Sequence, residues 1–96
     1  MKARKYDFLT NYYTSSQVVE IVPDCNGITI INLGDLPVIV KGIYLNAGTP
    51  GTNAGDSVSI GGNEGEILDT ARLDIMFQDG IGTQPNVMII QKYYKN

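Results

Sequence analysis

Apolar residues along this chain come in short bursts of four to eight, each bounded by Gly, Asn, Asp or Pro. That is the pattern of β-strands joined by tight turns. The first predicted strand is Gln17–Val22, closed by a turn at Pro23-Asp24-Cys25-Asn26-Gly27. Ile28–Leu33 follows, then a turn over Gly34-Asp35-Leu36-Pro37. Val38–Val40 and Ile43–Leu45 flank Lys41-Gly42, where a glycine in a strand pattern suggests a bulge or sharp bend, so the two read equally as one bent strand. Asn46–Asp56, with three glycines and a proline, reads as a long surface loop. Ser57–Ile60 is a short strand and Leu73–Phe77 places Leu73, Ile75 and Phe77 on one face. Gln78–Asn86 is a second loop, and Val87–Tyr94 is the last strand.

Five to seven short strands with frequent turn signals, and no segment long enough for a helical crossover, predict an all-β fold: a small antiparallel β-sandwich, jelly-roll or Ig-like. Residues 17–96 are assigned to it. Residues 1–16 fit less well, because Tyr6, Leu9 and Tyr13 have helical spacing whereas Thr10, Asn11, Thr14, Ser15 and Ser16 are poor helix formers. An extended N-terminal arm, with room for one helical turn, is the expectation. At 96 residues the chain is one small domain. Domains of this size bury only about 60–65% of their unfolded surface, so the core is thin.

The last strand is apolar on both faces. Val87, Ile89 and Tyr93 point one way, and Met88, Ile90 and Tyr94 the other. Such a strand needs two covering layers, and a thin sandwich supplies one. The second is expected from the arm, a neighbouring subunit or another surface. The adjacent pairs Tyr12-Tyr13 and Tyr93-Tyr94 suit a strand covered on both sides better than a flat sugar-stacking platform. The expected interface residues are therefore Lys2, Arg4, Lys5, Tyr6, Phe8, Tyr12, Tyr13, Met88, Ile90, Tyr93 and Tyr94, with the three basic residues pairing with acids on a neighbour.

Charge and absences narrow the function. The net charge is −3, yet residues 6–91 hold only Lys41 and Arg72 against all ten acids, a balance of −8. A body so acidic repels a phosphate backbone, so no nucleic-acid partner is expected. There is no histidine, and Cys25 stands alone, which removes the commonest proton shuttle, any internal disulfide and any Cys-based zinc site. No apolar segment follows the basic start and no apolar run approaches membrane length, so neither a signal peptide nor a membrane partner is expected. Ser57 and Ser59 do not sit in a nucleophile elbow. Glu64, Glu66, Asp69 and Asp74 would need a deep cleft to act as a glycosidase pair, and Gly48–Gly55 lacks the Lys-Ser/Thr end of a phosphate loop. No enzymatic activity and no cofactor is expected. Asp56, Asn63, Glu64, Glu66 and Asp69 are oxygen-bearing residues near glycine turns, but their spacing is not that of an EF-hand.

The segment Ile31–Tyr94 resembles small virion proteins of tailed and related bacteriophages, the head decoration, auxiliary capsid, fibre and spike components. The likeness lies in Ile-Asn-Leu-Gly, then Val-Ile-Val-Lys-Gly-Ile-Tyr-Leu, a Pro-Gly loop, and Asp-Ser-Val-Ser-Ile-Gly-Gly-Asn-Glu-Gly-Glu. Leu-Asp-Ile-Met-Phe and a closing Val-Met-Ile-Ile-Gln-Lys-Tyr-Tyr complete it. This resemblance implies a non-enzymatic building block of the virion, made in the host cytoplasm, with the major capsid protein or other virion proteins as partners and a homo-oligomeric state. The alternative expectation is a carbohydrate- or calcium-dependent recognition module of a phage fibre or surface protein, using Asn46–Asp56 and the acids of 56–69.

Overall fold

Eight strands make up the fold in the computed structural model, which describes residues 5–49, 54–69, 71–80 and 82–95. They are β1 (Lys5–Tyr13), β2 (Gln17–Glu20), β3 (Cys25–Asn32), β4 (Val38–Val40), β5 (Ile43–Leu45), β6 (Ser57–Gly61), β7 (Arg72–Phe77) and β8 (Val87–Lys95). The described residues contain no helix, and so none long and apolar enough to cross a membrane. Two four-stranded sheets form, sheet A in the order β1-β8-β3-β6 and sheet B in the order β2-β7-β4-β5. Every pairing is antiparallel. This all-β sandwich has the strand order of a jelly roll, in which two interlocked Greek keys distribute eight strands over two sheets.

The strand count exceeds the expected five to seven because the segment expected as an arm is extended but does not stand apart. Residues 5–13 form β1, paired along all nine residues with β8, and no helical turn occurs among residues 5–16. Tyr, Phe, Leu and Thr favour a pleated, half-buried surface, and the ladder outweighs the helical spacing of Tyr6, Leu9 and Tyr13. Val38–Val40 and Ile43–Leu45 are the two strands of a hairpin, and the alternative of one bent strand does not hold. Val40 faces Ile43, and the two residues between them, Lys41 and Gly42, have φ of 51° and 77°. Positive φ at both central positions is the geometry of a two-residue turn whose twist matches its strands. The expected turn at Pro23–Gly27 is also shorter: Asp24 takes the left-handed conformation (φ 59°), and Cys25 already belongs to β3.

The core lies between the sheets. Ile28, Ile30, Val87 and Ile89 of sheet A meet Val19, Leu73, Ile75, Val38, Val40 and Leu45 of sheet B. Three buried polar side chains hold the ends of this layer, and each satisfies backbone groups that no ladder reaches. Asn32 Nδ2 donates to the Leu36 and Leu45 carbonyls at 2.9 and 3.2 Å, and its Oδ1 accepts from Gly34 N at 3.1 Å, tying the β3–β4 turn to β5. Gln91 Oε1 accepts from Val22 N at 2.8 Å, where the chain leaves β2. Asn26 sits in the β-bulge between Cys25 and Gly27 and donates through Nδ2 to the Asn63 and Glu66 carbonyls at 2.7 and 2.8 Å.

Candidate assembly surface

Residues directly opposite one another in an antiparallel sheet project to the same side, so the register alone maps the outer face of sheet A. One row across the sheet is Phe8, Lys92, Gly27 and Gly61; the next is Thr10, Ile90, Thr29 and Ser59; the third is Tyr12, Met88, Ile31 and Ser57. Tyr6 and Tyr94 pair beyond the first row. The face is thereby divided along its length. Its β1–β8 half is tall, aromatic and aliphatic; its β3–β6 half is low and carries glycine or a hydroxyl in most positions.

Exposure follows this division. Phe8 and Tyr12 are 59% and 61% exposed, and Met88, Ile90 and Ile31 are half-buried with no layer above them among the described residues. Tyr6 and Tyr94 stack with ring centroids 4.9 Å apart, and the Lys92 ammonium lies 4.1 Å from the Tyr6 ring centre. A cation over an aromatic face is held by the ring quadrupole, which fixes the ammonium against the sheet. Between the two halves runs a groove of about 260 Å³, walled by Phe8, Ile90 and Lys92 and by Ser59, Gly61 and Gly62, with Gly27 and Thr29 in its floor. A side chain at Gly27 would begin 2.9 Å from Gly62 N, so glycine there lets the β6 end close over β3. Chemically, the outward-pointing residues of these strands offer rings, aliphatic carbons, the hydroxyls of Thr10, Thr29, Ser57 and Ser59, and a single ammonium, with no carboxylate.

The expected interface residues separate into three groups. Tyr6, Phe8, Tyr12, Met88, Ile90 and Tyr94 come together on this face. Lys5, Tyr13 and Tyr93 lie on the same two strands but point to the opposite side, where Tyr13 packs against the core. Lys2 and Arg4 lie outside the described residues. On that inner side Lys95 Nζ approaches Asp7 Oδ2 at 3.9 Å, an exposed pair. Sequence reasoning missed Ile31 and Lys92 as members of the outer face. Their signal was parity: once Ile90 is placed, Ile31 and Lys92 follow from the strand alternation and the β3–β8 register.

The acids singled out for catalysis or calcium serve the loops. Asp56 Oδ2 accepts from Asn46 N and Nδ2, both at 2.9 Å, closing the base of the 46–56 loop and holding its carboxyl below the ordinary carboxylate range. Asp35 accepts from Gln84 N and Thr83 N at 2.7 and 3.0 Å, joining two further loops. Glu66 sits in the turn bonded to Asn26, whereas Asp74 is on sheet B. Among the described residues no group of three or more acidic or Cys side chains is placed to hold a metal ion. Ser57 and Ser59 are exposed residues of β6, Ser59 sharing a 3.2 Å hydrogen bond with Thr29. Cys25 is buried, and burial pushes its thiol up, away from the reactive thiolate. No family model, no curated protein and no solved structure matches the chain.

Proposed function

We propose that this protein is a non-enzymatic structural component of a bacteriophage virion, an auxiliary or decoration protein that attaches through the outer face of sheet A. The observation that carries the attachment reading is the aromatic and aliphatic half of that face, with Phe8 and Tyr12 more than half exposed beside Met88 and Ile90. Contiguous exposed apolar surface on a small domain marks an interaction site, and aromatic residues dominate the energetics of such contacts. The virion itself rests on the resemblance of Ile31–Tyr94 to phage particle proteins. A decoration role suits a face of this size, because many weak copies on one shell sum to firm attachment.

Cosedimentation with capsid shells of the phage that encodes the chain tests the proposal. The wild-type protein is expected to travel with the shells, and Phe8→Glu and Tyr12→Glu, both at exposed positions, to remain in the supernatant while melting like the wild type. Shell binding unaltered by both charges would remove this face from the account. A carbohydrate-recognition reading draws on one feature, the groove where the Thr29 and Ser59 hydroxyls lie beside exposed Phe8. Retention on a glycan array, lost in Phe8→Ala, would favour it.

A further inference from the structure

The outer face of sheet B also carries an apolar row, beside the charged residues Glu20, Arg72 and Asp74. The register sets Met76, Ile39 and Tyr44 side by side across β7, β4 and β5, and Val18 lies on β2 opposite Asp74. Met76, Tyr44 and Val18 are 55%, 51% and 55% exposed. The core of the sandwich uses none of them. Among the described residues the molecule therefore carries two apolar rows with no layer over them, one on each side of a two-layer domain.

We infer that these rows cover each other between copies: the outer face of sheet A in one molecule packs on the outer face of sheet B in a second. The inference rests on the reading of sheet A as an assembly surface: copies joined in this way leave one sheet A face free at the end of a stack, and that face meets the shell. Two observations select this pairing over sheet A packed on sheet A. A symmetric contact between two A faces buries one row and leaves Met76, Ile39, Tyr44 and Val18 without a role, whereas the head-to-tail contact covers both rows with one kind of interface. Charge agrees. Among the residues that these strands point to the outer face of sheet A, Lys92 is charged and none is a carboxylate, so packing A on A desolvates two ammonium groups with no outward acid on those strands to receive them. The strands of sheet B present Glu20 and Asp74 together with Arg72, so carboxylates for Lys92 are found there.

The size of the contact sets its strength. Four strands spaced about 4.8 Å apart and three to six residues long give sheet B a projected face of roughly 300 Å². Stable complexes bury about 800 Å² on each partner, so a single contact is weak and accumulates where copies are crowded. A contact between two different faces leaves a free face at each end, and association continues into a ring or a stack.

Sedimentation velocity on the full chain, from about 10 μM to about 1 mM, tests this, since a contact so small saturates only at high concentration. Tyr12→Glu disables sheet A and Met76→Glu disables sheet B; circular dichroism and melting confirm that both remain folded, and Tyr44→Glu replaces Met76→Glu if that variant does not. The wild type is expected to pass beyond a dimer as concentration rises, and each variant alone to stay monomeric. An equimolar mixture of the two is expected to form a dimer and nothing larger, because only one live face of each kind remains. A wild type monomeric throughout overturns the inference. So does a Met76→Glu protein that associates like the wild type, because the contact is then A on A. In either case, shells that still bind the wild type and release Phe8→Glu leave the sheet A reading standing while this one falls.

Discussion

The two sides of β8 show what the apolar run at its start encodes. Val87 and Ile89 are fully buried under sheet B; Met88 and Ile90, one residue along in each case, are only half-buried on the outer face. In sequence the four are alike. The difference lies in what covers them, and the described residues supply the cover for one side only. An apolar run of this kind does not by itself say on how many sides a strand is covered within its own domain.

That contrast can be broken by mutation. Ile89→Ala is expected to cost about 3 kcal/mol in a urea melt, the combined loss of burial and the cavity left between the sheets. Asn26→Ala comes next, at about 2 kcal/mol, because the Asn63 and Glu66 carbonyls lose their buried donor. Ile90→Ala, the outer counterpart of Ile89, is expected to cost less than about 1 kcal/mol in the isolated chain. Equal losses at Ile89 and Ile90 would mean that the outer side is already covered in solution, and a loss at Ile90 that grows with protein concentration would identify self-association as the cover. The smallest effect concerns Asp56. Its hydrogen bonds to Asn46 favour the carboxylate and lower its pKa on folding, so its stabilisation is present above the unfolded pKa and is lost as pH falls through the folded one. Asp56→Asn should therefore flatten the acid limb of melting temperature against pH below about pH 4 and leave neutral pH almost unchanged.

Strands bounded by glycine, asparagine and proline were legible to within a residue or two, as at Val38–Val40, Ile43–Leu45 and Leu73–Phe77. β1 was not legible as a sheet member, because its alternation is inverted. Tyr6, Phe8 and Tyr12 point outward while Lys5, Asp7 and Asn11 share the inner parity with Leu9 and Tyr13, so the usual rule of apolar side inward finds no strand there. Asn26 was misread for a related reason. Asn26-Gly27 has the composition of a turn, yet the bulge carries Asn26 into a fully buried position, where its amide serves loop carbonyls about forty residues away. Such a role depends on which loop folds back over the bulge, and no local pattern contains it. The apolar row on sheet B escaped notice because Val18, Ile39, Tyr44 and Met76 are scattered singly through four strands and meet only through the register.

The position of β8 between β1 and β3 has a consequence for how the molecule is made. Lys5 pairs with Lys95 and Tyr13 with Val87, so the β1 ladder joins segments separated by most of the chain. Such distant pairings close the largest loops and slow the search for the native state. The strand that completes sheet A is also the last of the domain to leave the ribosome, and it must enter the middle of the sheet. Until it does, β1 and β3 each lack a neighbour and present open hydrogen-bonding edges, one of them lined with tyrosine and phenylalanine. Folding of this domain on the ribosome is thus expected to wait until β8 has emerged, and the interval before β8 inserts is when nascent copies are most exposed to mispairing with each other.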